Sequence, residues 1–142
     1  MMEGKWAGQY TYGNDYPEIC VGKSVPFEMH LIQNGIEFYG NFSDDESRNI
    51  FQDNGIVAGF LEGDLIFFDK QYPKAWGMSE SGTIEVIEDS IPPLIRYEGR
   101  LSENEFLGTW EIHQYYKEEG KEDIFSIVDG SGTWSMRKVI PQ

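Results

Sequence analysis

The sequence predicts an all-β protein built as a single antiparallel, up-and-down barrel, and three observations lead to that prediction. Apolar and polar residues alternate with a period of two through most of the chain, as in strands that bury one face. Aromatic residues make up 15% of the 142 residues and glycine occurs 16 times, a composition typical of strands and tight turns. Short turn signals separate successive strands, so each strand is expected to pair with its sequence neighbour. A meander of roughly eight to ten strands removes its exposed edges by closing into a barrel.

The first three strands are predicted from residues 6–12, 25–31 and 36–42. In the first, Trp6, Tyr10 and Tyr12 share one face. The second and third form the most distinct hairpin, because Asn34-Gly35 between them supplies the two positive φ angles of a tight turn. Residues 44–51 follow and are expected to form either a short capped helix or an acidic loop.

The rest of the chain predicts further strands, with little helix. Residues 56–62 and 65–72 form a hairpin at Gly63-Asp64, which Pro73 ends because proline donates no ladder hydrogen bond. Residues 83–87 form another strand, and residues 94–101 pair with 106–115. Residues 124–128 and 133–139 flank a predicted turn at Gly130-Ser131-Gly132. No linker interrupts this pattern, so residues 1–142 are predicted to be one domain.

The charge balance restricts the partners that we expect. The chain has 25 acidic against 11 Lys and Arg residues, a formal charge of −14, so nucleic acid and anionic membranes are not expected to bind it. A neutral, apolar or cationic small molecule fits this charge better than an anionic one. The single cysteine, the lack of a signal-peptide pattern and the lack of an apolar run of about 20 residues predict a cytoplasmic protein.

Gly4-x-Trp6, at the start of the first strand, resembles the signature of the lipocalins and the wider calycin superfamily. This resemblance implies a β-barrel in which the tryptophan closes one end and a basic residue near the last strand, Arg137 or Lys138, packs over it. The opening residues 4–10 also look like the start of the nitrobindins, which are haem-binding relatives. Gly108-Thr109-Trp110 and Gly132-Thr133-Trp134 are similar to strand starts of avidin-like barrels.

The departures from these families limit what the resemblance implies. Nitrobindins take the histidine that binds the haem iron from near the carboxyl end, and residues 134–142 contain none. The polar loop residues of avidin-like biotin sites are not found either. The resemblance therefore implies a barrel fold but no particular ligand, and no cofactor is predicted.

The inward faces of the predicted strands carry aromatic side chains that could stack on a flat ligand. The residues predicted to bind such an apolar or aromatic ligand are Trp6, Tyr10, Tyr12, Phe27, Met29, Phe38, Tyr97, Trp110 and Trp134. A plain packed core is the alternative. Glycines at positions 8, 40, 59, 99 and 108 favour a cavity if they leave inward space unfilled, or they are bends that let the sheet curl.

No metal site or catalytic motif is predicted. Glu28-x-His30 and Glu111-x-His113 fall opposite the apolar faces of their strands, so both pairs are expected to face solvent. Cys20 has no adjacent base and is expected to be a small buried hydrophobe. The acidic runs 44–46 and 118–119 are expected to be solvated.

Three hypotheses about function follow. The favoured one is a barrel that binds a small apolar or aromatic molecule. The second is an interaction module with a filled core, acting through its outer surface. Residues Leu65-Ile66-Phe67-Phe68, apolar on both faces, suggest a homodimer contact, a covering loop that carries Trp76, or a β-bulge. The third is a cofactor-free isomerase or cyclase, which would need an internal titrating group such as Glu85 or Tyr97.

Overall fold

The computed structural model of the protein describes residues 1–16, 18–48, 51–78, 84–87, 91–117, 120 and 124–140. Within these ranges, the side chains of residues 77–78, 84–85, 87, 114–117 and 124–129 are not described. The described backbone contains strands and turns but no helix, so none of it forms a helix long and apolar enough to cross a membrane.

The protein is an all-β, closed antiparallel barrel of eight strands, as the sequence predicts. The strands are β1 (Gly4–Tyr12), β2 (Ser24–Asn34), β3 (Glu37–Asp44), β4 (Gly55–Glu62), β5 (Leu65–Gln71), β6 (Ala75–Met78), β7 (Ile84–Ile87), β8 (Leu94–Ser102), β9 (Glu105–Lys117) and β10 (Ile124–Lys138). The order around the barrel is β1-β10-β9-β8-β5-β4-β3-β2, a meander closed by pairing of the first and last strands. β6 and β7 form a separate two-stranded sheet between β5 and β8 in the chain. The strand predicted near residues 83–87 therefore exists as β7, although Thr83 lies outside the described residues.

The turn between β2 and β3 lies one residue later than predicted. Asn34 pairs with Glu37, so Gly35 and Ile36 are the two central residues. Gly35 has a φ of 67°, whereas Asn34 and Ile36 are not among the residues with positive φ. A positive φ at the first central residue alone is the pattern of a type II′ hairpin turn, which needs one glycine rather than an Asn-Gly pair.

The predicted turn at Gly130-Ser131-Gly132 is wrong. β10 runs through these residues as one strand, and its pairing with β9 shifts between Val128 and Ser131. Two residues of β10 there stand opposite one residue of β9, which defines a β-bulge. Gly130, with a φ of 152°, adopts a backbone conformation that favours glycine, so the strand bends here without ending.

Where its side chains are described, the barrel interior is closely packed. Inward residues from every barrel strand are buried, among them the large rings of Phe27, Phe38, Phe42 and Phe106. Of the two interpretations of the glycines, a cavity or bends of the sheet, the cavity is therefore wrong for Gly59 and Gly99. A Cβ would lie 2.5 Å from Phe68 Cβ at Gly59 and 2.6 Å from Trp134 Cζ2 at Gly99, so these glycines admit a neighbouring side chain or strand.

The strand Leu65–Gln71 keeps a regular register with both neighbours. Ile66 and Phe68 are buried, and Phe67 faces outward and stacks on Phe60 with 5.1 Å between ring centroids. The β-bulge, one of the three alternatives for this segment, is thus absent from residues 65–70, which pair continuously with β4 and β8. Trp76 does not cover this face, since its ring contacts Tyr72 at 5.3 Å, where β5 ends.

Candidate functional site

The candidate site lies at the end of the barrel where β1 and β5 finish and β8 begins. We call this end the mouth. A small cavity there is lined by seven aromatic side chains and two isoleucines: Tyr10, Tyr12, Tyr16, Tyr72, Trp76, Tyr97, Trp110, Ile95 and Ile112. Its free volume is about 20 Å³, roughly the room that one water molecule needs.

The rings of the mouth pack mostly edge to face. Tyr12 lies 4.5 Å from Tyr16 and 6.0 Å from Trp110, with interplanar angles of 67° and 80°. Tyr10 meets Trp110 at 6.0 Å and 79°. Edge-to-face contacts at these distances are favourable, so the rings of the mouth support one another.

Glu46 anchors the hydroxyl groups of two mouth tyrosines. Tyr10 and Tyr12 both donate to Glu46 Oε1, with an oxygen–oxygen distance of 2.8 Å for Tyr10. The other carboxylate oxygen, Oε2, is buried without a hydrogen bond and lies 3.7 Å from Lys23 Nζ. The expectation that residues 44–46 are solvated is therefore wrong for Glu46, which pairs with charged and hydroxyl groups at the mouth.

Asp44 is fully buried at the end of β3, so the same expectation is wrong here too. Its Oδ1 accepts the backbone N–H groups of Glu46 at 3.0 Å and Ser47 at 2.7 Å, as the first residue of a capped turn does. Its Oδ2 accepts the Tyr72 hydroxyl at 2.6 Å. Asp44 thereby fixes the turn that carries Glu46 and holds Tyr72 against the mouth.

Lys70 is a buried cationic side chain of the interior, with a relative exposure of 1%. Its Nζ lies 3.3 Å from Tyr97 Oη and 3.6 Å from the centroid of the Phe27 ring. The rings of Tyr97, Phe42 and Tyr10 surround it at 4.4, 5.0 and 5.7 Å. Burial lowers the pKa of the ammonium from 10.5 to about 7, and the Asp44 carboxylate acts in the opposite direction.

Burial also keeps the mouth tyrosines protonated. It raises the pKa of Tyr10, Tyr72 and Tyr97 well above 10.0, and nearby carboxylates add to the effect. The pKa of Tyr12 is raised in the same way, by burial first and then by Glu46. These hydroxyls therefore remain hydrogen-bond donors throughout the neutral pH range.

The structure buries all nine residues predicted to bind a ligand but brings only four of them to the cavity. Tyr10, Tyr12, Tyr97 and Trp110 line the mouth. The other five pack in the interior: Trp6, Phe27, Met29, Phe38 and Trp134. Whether any of the nine binds a ligand stays a prediction.

Lys70, Asp44 and Glu46 were not predicted from the sequence to belong to the site. The sequence carried a signal for two of them. Lys70 lies on the same strand face as the inward Ile66 and Phe68, and Asp44 lies on the same face as the inward residues of β3. Their charge led away from a buried placement, since lysine and aspartate are rarely buried. Glu46 lies in a turn, where strand alternation carries no information.

The end opposite the mouth is closed by Trp6, whose Nε1 donates to Met2 O at 2.8 Å and whose ring lies 5.6 Å from Phe106. Of the two basic residues that the calycin resemblance points to, Arg137 contacts Glu105 and Lys138 donates to Met1 O. The structure gives no ring contact between either of them and Trp6.

The remaining candidate residues do not build a reactive centre. His113 lies 3.3 Å from Glu111 on the outside of the barrel, and His30 is exposed. Among the described residues, no three potential metal ligands come together. Cys20 is buried as expected, with 2% exposure. Glu85 lies in β7, and its side chain is outside the described part of the structure. Residues 118–119 lie wholly outside the described residues.

Fold and site together define the class to which the protein belongs: a closed, eight-stranded antiparallel barrel with a filled interior and an aromatic mouth. Comparisons with protein-family models, with curated proteins and with solved structures found no match.

Proposed function

We propose that this protein is a calycin-like barrel that binds a small, planar, apolar or aromatic molecule at its mouth. The observation that carries this proposal is the ring of seven aromatic side chains around one cavity, with tyrosine hydroxyls held in place by Glu46 and Asp44. Apolar walls with a few fixed polar groups are the usual makeup of a small-molecule site. The calycin-like opening sequence, Gly4-x-Trp6, supports the same reading.

The mouth offers a ligand more room if its outer rings move. The present cavity of about 20 Å³ is far below the roughly 300 Å³ of a typical ligand site. Tyr16 and Trp76 are only partly buried there, and Trp76 belongs to the β6–β7 sheet rather than to the barrel. A planar ligand would replace these rings against Tyr12, Tyr72 and Trp110 while the barrel itself stays unchanged.

A titration with indole, a neutral planar probe, tests the proposal. Ile112→Trp should fill the cavity and weaken indole binding at least tenfold, because Ile112 lines the mouth. The matched control is Ile36→Trp, at a 65% exposed position in the turn between β2 and β3, which should bind as the wild type does. Equal affinity of the two variants for indole would reject the mouth as the site. An absence of detectable indole binding to the wild type would reject it as well.

A second candidate function, interaction through the outer surface, is favoured by an apolar patch on β2 to β5. Ile32, Tyr39 and Phe60 are 52%, 51% and 42% exposed, and Phe60 stacks on Phe67. We define these four residues as the outer patch. Homodimerisation through this patch, which adjoins Leu65, is tested by sedimentation of the wild type and Phe60→Lys. A monomer in both at high concentration would remove this candidate.

A further inference from the structure

Lys70 presents an amine in an unusual setting for a charged group. Its side chain is 1% exposed, and three phenyl-type rings lie within 5.0 Å of Nζ. In the described part of the chain, the single hydrogen-bond partner of Nζ is Tyr97 Oη at 3.3 Å. An ammonium has three donors, so this environment leaves most of its hydrogen-bonding capacity unused.

The charged and titratable groups around Lys70 do not compensate for its burial. Asp44, at the end of β3, already accepts three hydrogen bonds, from two backbone N–H groups and Tyr72. Glu46 accepts from Tyr10 of β1 and Tyr12, and its free oxygen lies next to Lys23. No described carboxylate comes within 4.0 Å of Lys70 Nζ, which favours the neutral amine. The lowered pKa of about 7 agrees with this geometry.

The amine lies directly beneath the mouth. Tyr10 and Tyr97 line the mouth cavity, and both also contact Lys70, through a ring at 5.7 Å and a hydroxyl at 3.3 Å. One layer of side chains therefore separates Nζ from the mouth cavity, and this layer has to shift for a carbonyl carbon to reach Nζ. A neutral primary amine in an apolar site is a nucleophile toward carbonyl carbon.

We propose that Lys70 is a carbonyl-reactive amine, which forms a Schiff base with a small aldehyde or ketone that enters through the mouth. The inference rests on the proposed function, since the carbonyl compound has to occupy the mouth first. It names the chemical class of the ligand and assigns Tyr97 a role beside the amine.

The reaction consists of an addition followed by loss of water. The Nζ lone pair forms a bond to the carbonyl carbon, and the carbonyl π electrons move to oxygen. The Tyr97 hydroxyl relays a proton from nitrogen to this oxygen. The carbon–oxygen bond then breaks, the hydroxyl leaves with the second amine proton as water, and a carbon–nitrogen double bond remains. The amine and the aldehyde are thus converted to an imine and water, with no oxidant or reductant.

Reductive trapping with benzaldehyde and cyanoborohydride tests the proposal, because the hydride converts an imine to a stable benzyl amine. At neutral pH, peptide mapping of the wild type should find the benzyl group on Lys70 at least tenfold faster than on any other lysine. Lys70→Met should lose this label, while Lys138→Met, at an exposed lysine, should retain it. The rate of labelling at Lys70 should level off above a pH of about 7.

Benzyl alcohol, which has the same ring and no carbonyl group, separates the two proposals. If benzyl alcohol binds saturably at the mouth but benzaldehyde gives no label on Lys70, the Schiff-base proposal is overturned and the binding site remains. Absence of both binding and label would overturn both. A label spread evenly over the exposed lysines, with Lys70 no faster than the rest, would also overturn the assignment of Lys70.

Discussion

Replacing Lys70 by methionine should change how stability depends on pH. The pKa of Lys70 is 10.5 in the unfolded chain and about 7 in the fold, so between these values the unfolded chain holds the extra proton. Stability of the wild type should therefore rise with pH across this window and be lowest below pH 7. Each pKa unit corresponds to about 1.4 kcal/mol, so the contribution of Lys70 changes by about 3 kcal/mol from about pH 6.5 to 9.5. Methionine has a similar length and no charge, so Lys70→Met should lack this dependence.

Urea unfolding at several pH values measures the effect. Lys70→Met should exceed the wild type in unfolding free energy at low pH, and its advantage should shrink by about 3 kcal/mol toward about pH 9.5. Measurements stay below the pH at which unfolded tyrosines ionise, near 10.0, because buried tyrosines then lower stability in both proteins. The exposed control Lys138→Met should follow the wild-type profile. Parallel profiles for Lys70→Met and the wild type would refute the placement of a desolvated amine inside the barrel.

Three further substitutions test a contact at the site, the packing of the interior and the backbone of one turn. Asp44→Ala should lower the free energy of unfolding by about 3 kcal/mol, since three buried donors lose their acceptor. The control Asp45→Ala, at an exposed position, should cost less than about 0.5 kcal/mol. Equal losses in urea unfolding would contradict this. Gly99→Ala should lower the free energy of unfolding by about 1–3 kcal/mol, because the added Cβ falls 2.6 Å from the Trp134 ring. The near-ultraviolet circular dichroism should change too, and an unchanged spectrum would argue against the contact. Glu103→Gly should raise stability by about 0.5–1 kcal/mol, since Glu103 has a φ of 59°, and Glu103→Ala should give no such gain.

The fold could be predicted from the sequence because a period-two pattern and short turns carry most of the information about a meander. Gly63-Asp64 connects β4 and β5 as expected, with Gly63 at a φ of 62°. The bulge at Gly130 could not be told from a turn, since glycine supplies a positive φ in both. Sequence spacing alone does not say whether a strand turns back or continues past a bend.

The candidate site could be predicted only in part. Alternation correctly places Tyr10, Tyr12, Tyr97 and Trp110 inside, and all four reach the mouth. Alternation cannot say at which depth a side chain lies, so Trp6 and Trp134 were not separated from the mouth residues. The burial of Lys70 depends on contacts from four other strands of the barrel, which only the closed structure brings together.

The central claim is that a ligand binds at the mouth rather than within the filled interior, and the tryptophan side chains test it most directly. The chain has four, of which Trp76 and Trp110 line the mouth and Trp6 and Trp134 pack in the interior. Indole titrated into ¹⁵N-labelled protein can be followed at each Nε1–H by nuclear magnetic resonance. We expect saturable shifts of the Trp76 and Trp110 signals, with those of Trp6 and Trp134 unchanged. Shifts that are largest at Trp6 and Trp134, or no saturable shift at any of the four, would contradict the claim.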